Sequence, residues 1–140
     1  MSNQVVYVSR SGNTRKIAEA IAQCAGVAAQ VVCPDTTVEN VSILFVGGAL
    51  YAGHIAPALK AFLEKLDKAQ VQKVAVFSTT FNPNATAFGE IQAILAQKGI
   101  EVLQDHFHTR GKFLLFSRKR PDEDDLANAK RFAQRILAQG

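Results

Sequence analysis

Val5-Val6-Tyr7-Val8-Ser9-Arg10-Ser11-Gly12-Asn13-Thr14-Arg15-Lys16-Ile17-Ala18-Glu19-Ala20-Ile21-Ala22 decides how the rest of the chain is read. Its first four residues are short-run, β-branched and nearly all apolar, as a central strand covered on both faces must be. Ile17, Ala18, Ile21, Ala22 and Ala25 then recur at helical spacing, and Gly26 supplies a stop signal. A buried strand therefore passes through a six-residue turn, Ser9 to Thr14, into an amphipathic helix.

The same alternation continues outward. Val27 to Cys33 reads as a weaker second strand ended by Pro34, and Ser42 to Val46 as a third, buried strand closed by Gly47-Gly48. Leu59, Phe62, Leu63 and Leu66 share one helical face behind Pro57, a residue suited to a first helical turn. Val74 to Phe77 forms a fourth strand, and Phe88, Ile91, Ile94 and Leu95 a third helix ending at Gly99. A fifth strand covers Ile100 to Val102 and extends toward His108. The last helix carries Leu126, Ala129, Phe132, Ala133, Ile136 and Leu137 in one stripe behind Pro121 and the acids Asp122, Glu123, Asp124 and Asp125. Those acids complement a helix dipole rather than forming a metal cluster. Phe113-Leu114-Leu115-Phe116 is too short for periodicity to assign, so Thr109 to Arg120 stays open.

Strands and helices in turn, with no internal repeat or linker, define an α/β class: a three-layer sandwich around a doubly wound, five-stranded parallel sheet. In such a sheet the ligand crevice lies at the carboxyl ends of the strands, where the winding reverses. Three loops should meet there: Ser9 to Thr14, Gly47 to Ala56, and Ser78 to Ala85.

At 140 residues the chain is one domain, 1–140, and its 48% hydrophobic and 20% charged content is that of a globular protein. Sixteen Lys+Arg against twelve Asp+Glu give +4, which permits acidic partners without demanding them. The basic residues are scattered and no aromatic-basic motif accompanies them, so nucleic acid is not an expected partner. No apolar run approaches the roughly 18 residues of a membrane span, and Met1-Ser-Asn-Gln does not open a secretory leader, so the expected location is cytoplasmic. Cys24 and Cys33 stand nine positions apart with no histidine at ligand spacing; both read as small buried hydrophobes, with no disulfide framework or zinc site.

The first loop offers three hydroxyls, an amide and a glycine within six residues at a helix N-terminus. There the free N–H groups and the positive end of the macrodipole favour an anion rich in acceptor oxygens, and hydroxyls add donors without charge. The plainer alternative is that Ser11 or Asn13 merely caps the helix. Neither G-x-x-x-x-G-K-[ST] nor G-x-G-x-x-G follows any strand, so the ATPase and dinucleotide readings lose their main support and a monophosphate site remains.

VVYVSRSGNTRKIAEAIA resembles the amino-terminal signature of the flavodoxins, in which a strand leads into [ST]-x-[ST]-G-N-T and a helix. The resemblance implies the strand order 2-1-3-4-5 and noncovalent flavin mononucleotide (FMN). Its phosphate would be held by Ser9, Ser11, Gly12, Asn13 and Thr14, with Arg10 in the same loop. The segment Gly47-Gly48-Ala49-Leu50-Tyr51-Ala52-Gly53 has the small residues, single aromatic and glycines of a backbone running close to a flat ligand. Tyr51 either stacks on that ligand or is a loop tyrosine bonded to backbone. The resemblance further implies that a peptide here, Ala52-Gly53 being the candidate, turns over to meet N5 of the one-electron-reduced flavin.

Thr79, Thr80, Phe81 and Asn82 belong to the second wall, where backbone N–H groups and Asn82 can bond the pyrimidine edge and Phe81 can cover a face. Typical flavodoxins carry acids here and this loop has none, so less Coulomb repulsion opposes a fully reduced, anionic flavin.

His54 is either a solvated loop histidine or a proton donor beside the flavin. The segment Tyr51 to His54 is also similar to the menaquinone-dependent protoporphyrinogen dehydrogenases, whose longer chains carry an extra segment that this one lacks. His106 and His108 lie at i, i+2 with no third metal ligand in view, so no metal is expected. Arg110, Lys112, Arg118, Lys119 and Arg120 form either a solvated surface or a basic rim for an acidic redox partner. The leading expectation is a monomeric electron carrier, without catalytic residues of its own, serving a reductase and an acceptor. The alternative is a flavin oxidoreductase acting on a quinone or porphyrinogen.

Overall fold

The computed structural model describes residues 2–8, 13–51, 54–79, 88–109 and 123–139. Its elements run β1 (Ser2–Tyr7), α1 (Asn13–Ala25), β2 (Ala29–Val31), β3 (Val41–Tyr51), β4 (His54–Ile55), α2 (Pro57–Glu64), β5 (Val71–Thr79), α3 (Phe88–Ala96), β6 (Glu101–Val102), β7 (Phe107–Thr109) and α4 (Glu123–Gln139). The parallel sheet has the order β2-β1-β3-β5-β6, with β7 also beside β5 and β4 antiparallel to β3. Counting β6 and β7 as one outer position, this is the anticipated doubly wound order.

Both faces of the sheet are covered, which is why its central strands are apolar on consecutive residues. Val6, Leu44, Val46, Val74 and Val76 point to the side of α2 and α3, where Leu59, Leu63, Ile91 and Leu95 are fully buried. Val5, Tyr7, Phe45, Ala75 and Phe77 point to the side of α1 and α4, against Ile17, Ile21, Phe132 and Ile136. Phe45 and Phe132 meet edge to face at 6.2 Å, a geometry that suits the ring quadrupoles.

The helix stops follow the local chemistry. Gly26 and Gly99 both adopt φ +72°, and the residue after each donates back into its helix, Val27 N–H to Ala22 O at 3.1 Å and Ile100 N–H to Leu95 O at 3.2 Å. Pro57 stands at the start of α2, and three acids occupy the first turn of α4.

Strand ends differ from the local reading. The second strand shrinks to Ala29–Val31, whereas the third runs on through Gly47-Gly48 to Tyr51 and the fourth through Ser78-Thr79. A strand persists as long as a neighbour offers hydrogen-bonding groups, and β3 and β5 supply them to each other from Val41↔Val71 to Ala49↔Thr79. The fifth strand is broken: between Val102 and Phe107 the outer chain advances five residues while β5 advances three, from Val74 to Phe77. The displaced stretch holds Asp105, which accepts hydrogen bonds from Arg135 Nε at 3.0 Å and Nη2 at 3.1 Å.

Cys33 is exposed rather than buried, because the chain leaves the sheet after Val31 and its Sγ lies 3.3 Å from Thr36 Oγ1 at the surface; Cys24 is half-buried. No described helix is long and apolar enough to cross a membrane.

Candidate functional site

Sheet register assembles the site. Tyr7, Gly47, Phe77 and Phe107 form one lateral row across β1, β3, β5 and β7, and Ala49, Thr79 and Thr109 form a row two residues further on. Val8 N–H still donates to Gly47 O at 3.1 Å, so the chain leaves the sheet toward Ser9 at this level. The segments after β1, β3 and β5 therefore depart from the same carboxyl edge, as three sequence-distant loops must if they are to share a ligand.

The first departure leads into α1, which begins at Asn13 with no acidic residue in its first turn. That contrasts with α4, whose first turn carries Glu123, Asp124 and Asp125. No acid of its own first turn complements the positive end of the α1 dipole, where an anion is favoured. Thr14 is buried at 1% exposure. Arg15, in this first turn, is already engaged: its Nε donates to Glu19 Oε1 at 2.7 Å, and this hydrogen bond, with the attraction of the carboxylate, raises the guanidinium pKa further.

Ala49, Leu50 and Tyr51 lie in the extended end of β3, where Leu50↔Ile55 and Tyr51↔His54 pair antiparallel with β4. The segment taken as a loop is thus a hairpin with Ala52-Gly53 between its legs. Gly47 and Gly48 serve packing instead of an unusual backbone. The three nearest neighbours of a methyl on Gly47 are atoms of the Phe77 ring, which fills that space on the α1–α4 side. On the opposite face a methyl on Gly48 would lie 2.9 Å from Leu59 Cδ2.

Thr79 closes β5. Ser9, Arg10, Ser11, Gly12, Ala52, Gly53, Thr80, Phe81 and Asn82 lie outside the described residues, as do Arg110, Lys112, Arg118, Lys119 and Arg120.

Sequence reading missed Glu90. In the first turn of α3 its Oε1 accepts the Ile55 N–H at 3.0 Å and lies 3.9 Å from His54 Nδ1. No local signal pairs residues 35 positions apart; only an acid in a helix's first turn was visible. His54 is solvated, with 79% of its side chain exposed. His106 precedes β7 and stacks on Phe88 with centroids 4.1 Å apart. Among the described residues no group of three His, Cys, Asp or Glu could hold a metal ion. A groove of about 350 Å³ between the 32–39 segment and α2, lined by Val38, Phe62 and Leu66, contains none of the anticipated site residues.

Residues 4–115 match the family model described as a flavodoxin domain. A protein of Methanocaldococcus jannaschii, itself uncharacterised, is 34% identical over 139 residues, covering 89% of this chain and 90% of the relative. Among solved structures, a flavodoxin from the domain Archaea superposes with a TM-score of 0.79 at 23% identity, covering 99% of this chain and 98% of that one. Oxidised flavodoxin 2 from Bacillus cereus superposes with a TM-score of 0.72 at 21% identity over 100% of both chains. At those identities the structures attest the fold.

Proposed function

The chain belongs to the flavodoxin domain family, and we propose from that premise that residues 1–140 form one domain that binds FMN noncovalently and carries electrons between partner proteins. The observation that carries this reading is the convergence of the segments after β1, β3 and β5 on one sheet edge, beside a helix start that no acid of its own first turn neutralises. The donor set fits the cofactor. A phosphate dianion asks for several N–H and O–H donors, and the loop into α1 supplies hydroxyls and helix N–H groups.

Ser9, Ser11, Gly12, Asn13 and Thr14, with Arg10 beside them, would hold the phosphate. Ala49 to Gly53 and Thr79 to Asn82 would form the two walls of the ring. Bound flavin supplies the redox chemistry, and the protein's part is to position and tune it. The hairpin would form one wall of the bound ring, and the acid-free second wall would spare a reduced flavin like-charge repulsion. We place the protein in the cytoplasm as a monomer, docking an acidic face of its partners by its basic surplus.

The test is the colour of the purified protein and its spectrum during stepwise photoreduction. A yellow protein that accumulates a one-electron-reduced flavin is the expected result. Direct two-electron reduction with turnover of a quinone would instead make it an oxidoreductase, a role in which the solvated His54 can exchange a proton. Protein that stays colourless with added FMN refutes the reading. The Ser11→Ala, Asn13→Ala double variant should weaken FMN far more than riboflavin, which lacks the phosphate; equal loss removes the loop from the site.

A further inference from the structure

Glu90 joins two parts of the site that the sequence keeps apart. It belongs to α3, the helix that follows the second wall, yet its carboxylate reaches the first wall at β4. In an antiparallel ladder every second residue turns its N–H away from the partner strand, and Ile55 is such a residue. Its side chain is buried at 5% exposure, and its N–H donates to Glu90 Oε1 at 3.0 Å. A charge-assisted bond of this kind is stronger than one between neutral groups. Among the described residues, the only basic side chain within 4.0 Å of that carboxylate is His54, the neighbour of Ile55 on the same leg. Both groups that Glu90 meets therefore lie on the descending leg of the hairpin, directly after Ala52-Gly53.

We propose that Glu90 is a positioning residue of the flavin site, pinning the descending leg of the β3–β4 hairpin, His54–Ile55, to α3 so that this leg is held in place before reduction. This rests on the FMN reading above. With the leg held, His54 and Ile55 keep their place when the flavin is reduced and need not first be ordered. With the leg free, that ordering cost falls on the reduced state. In the reading above the phosphate loop before α1 carries most of the oxidised-state affinity, and among the described residues Glu90 bonds only to β4.

The experiment compares wild type, Glu90→Ala and Glu90→Gln, since the glutamine amide retains an acceptor oxygen for the Ile55 N–H while losing the charge. In the flavin-free proteins, amide exchange at Ile55 should accelerate roughly tenfold in the alanine variant and return close to wild type in the glutamine variant. In the FMN-loaded proteins, oxidised-state dissociation constants should agree within about threefold. The peak share of one-electron-reduced flavin during photoreduction should fall about threefold in the alanine variant only. An unchanged share in the alanine variant, or no recovery with glutamine, overturns the role of Glu90 alone. Wild type that takes up no FMN overturns the parent reading and this one with it; the Ile55 exchange still reports whether the tether exists.

Discussion

Placing a methyl group at Gly47 is the sharpest test of how the carboxyl edge is built. Gly47 lies in the middle of the sheet, in register with Tyr7 on β1 and Phe77 on β5, and its carbonyl accepts the Val8 N–H. The strand therefore has no free side toward which to shift. The new Cβ would point into the Phe77 ring, whose Cε2, Cζ and Cδ2 are its nearest neighbours, and Phe77 is 0% exposed. Overpacking of this kind costs about 1–3 kcal/mol, while Gly→Ala recovers about 0.4–1 kcal/mol by restricting the unfolded chain. Gly47→Ala should thus destabilise by about 1–2 kcal/mol.

Gly48→Ala is the control, because among the described residues its methyl would meet only Leu59 Cδ2, the end of a flexible side chain, at 2.9 Å. There the two contributions nearly cancel, leaving the variant within about 1 kcal/mol of wild type. Equilibrium urea unfolding followed by circular dichroism, with unchanged slopes, measures both. In the Gly47→Ala background, Phe77→Leu should relieve the clash and give a coupling energy of about 1 kcal/mol or more. A Gly47→Ala protein as stable as wild type, or less affected than Gly48→Ala, would refute the packing argument.

Phe132→Ala should lower stability by about 3–5 kcal/mol, because the ring is fully buried and contacts both Phe45 and Phe107; urea unfolding measures it. Titration with an aromatic disulfide reagent should show a fast thiol, Cys33, and a slow one, Cys24, whose Sγ lies 3.8 Å from Lys130 O; Cys33→Ser should abolish the fast phase. Potentiometry of the FMN-loaded protein should place the second electron at a less negative potential than in flavodoxins with acid-lined loops. Adding Asp at Asn82 should lower that potential through Coulomb repulsion.

Much of the architecture was legible because its signals are local. Apolar runs, helical stripes, the start at Pro57 and the stops at Gly26 and Gly99 act within a turn or two of chain, and the structure places helices and central strands where those patterns lie. The loop before α1 is likewise one contiguous string, so the expectation that its hydroxyls and amide suit an anion needed no distant residue.

Other features required the folded chain, since they depend on groups that meet only across the sheet. The lengths of β3 and β5 depend on mutual hydrogen bonding over nine residues of β5, which no local pattern encodes. The break between β6 and β7 follows from unequal advance along paired strands. Gly47 and Gly48 look alike as a dipeptide, yet one accommodates Phe77 and the other Leu59, because successive residues of a strand face opposite layers. Glu90 could be read only as an acid in a helix's first turn until tertiary structure set it against Ile55. Sequence by itself determined which segments form helices and central strands, because those signals act locally; packing and register decided which distant residues stand together at the carboxyl edge.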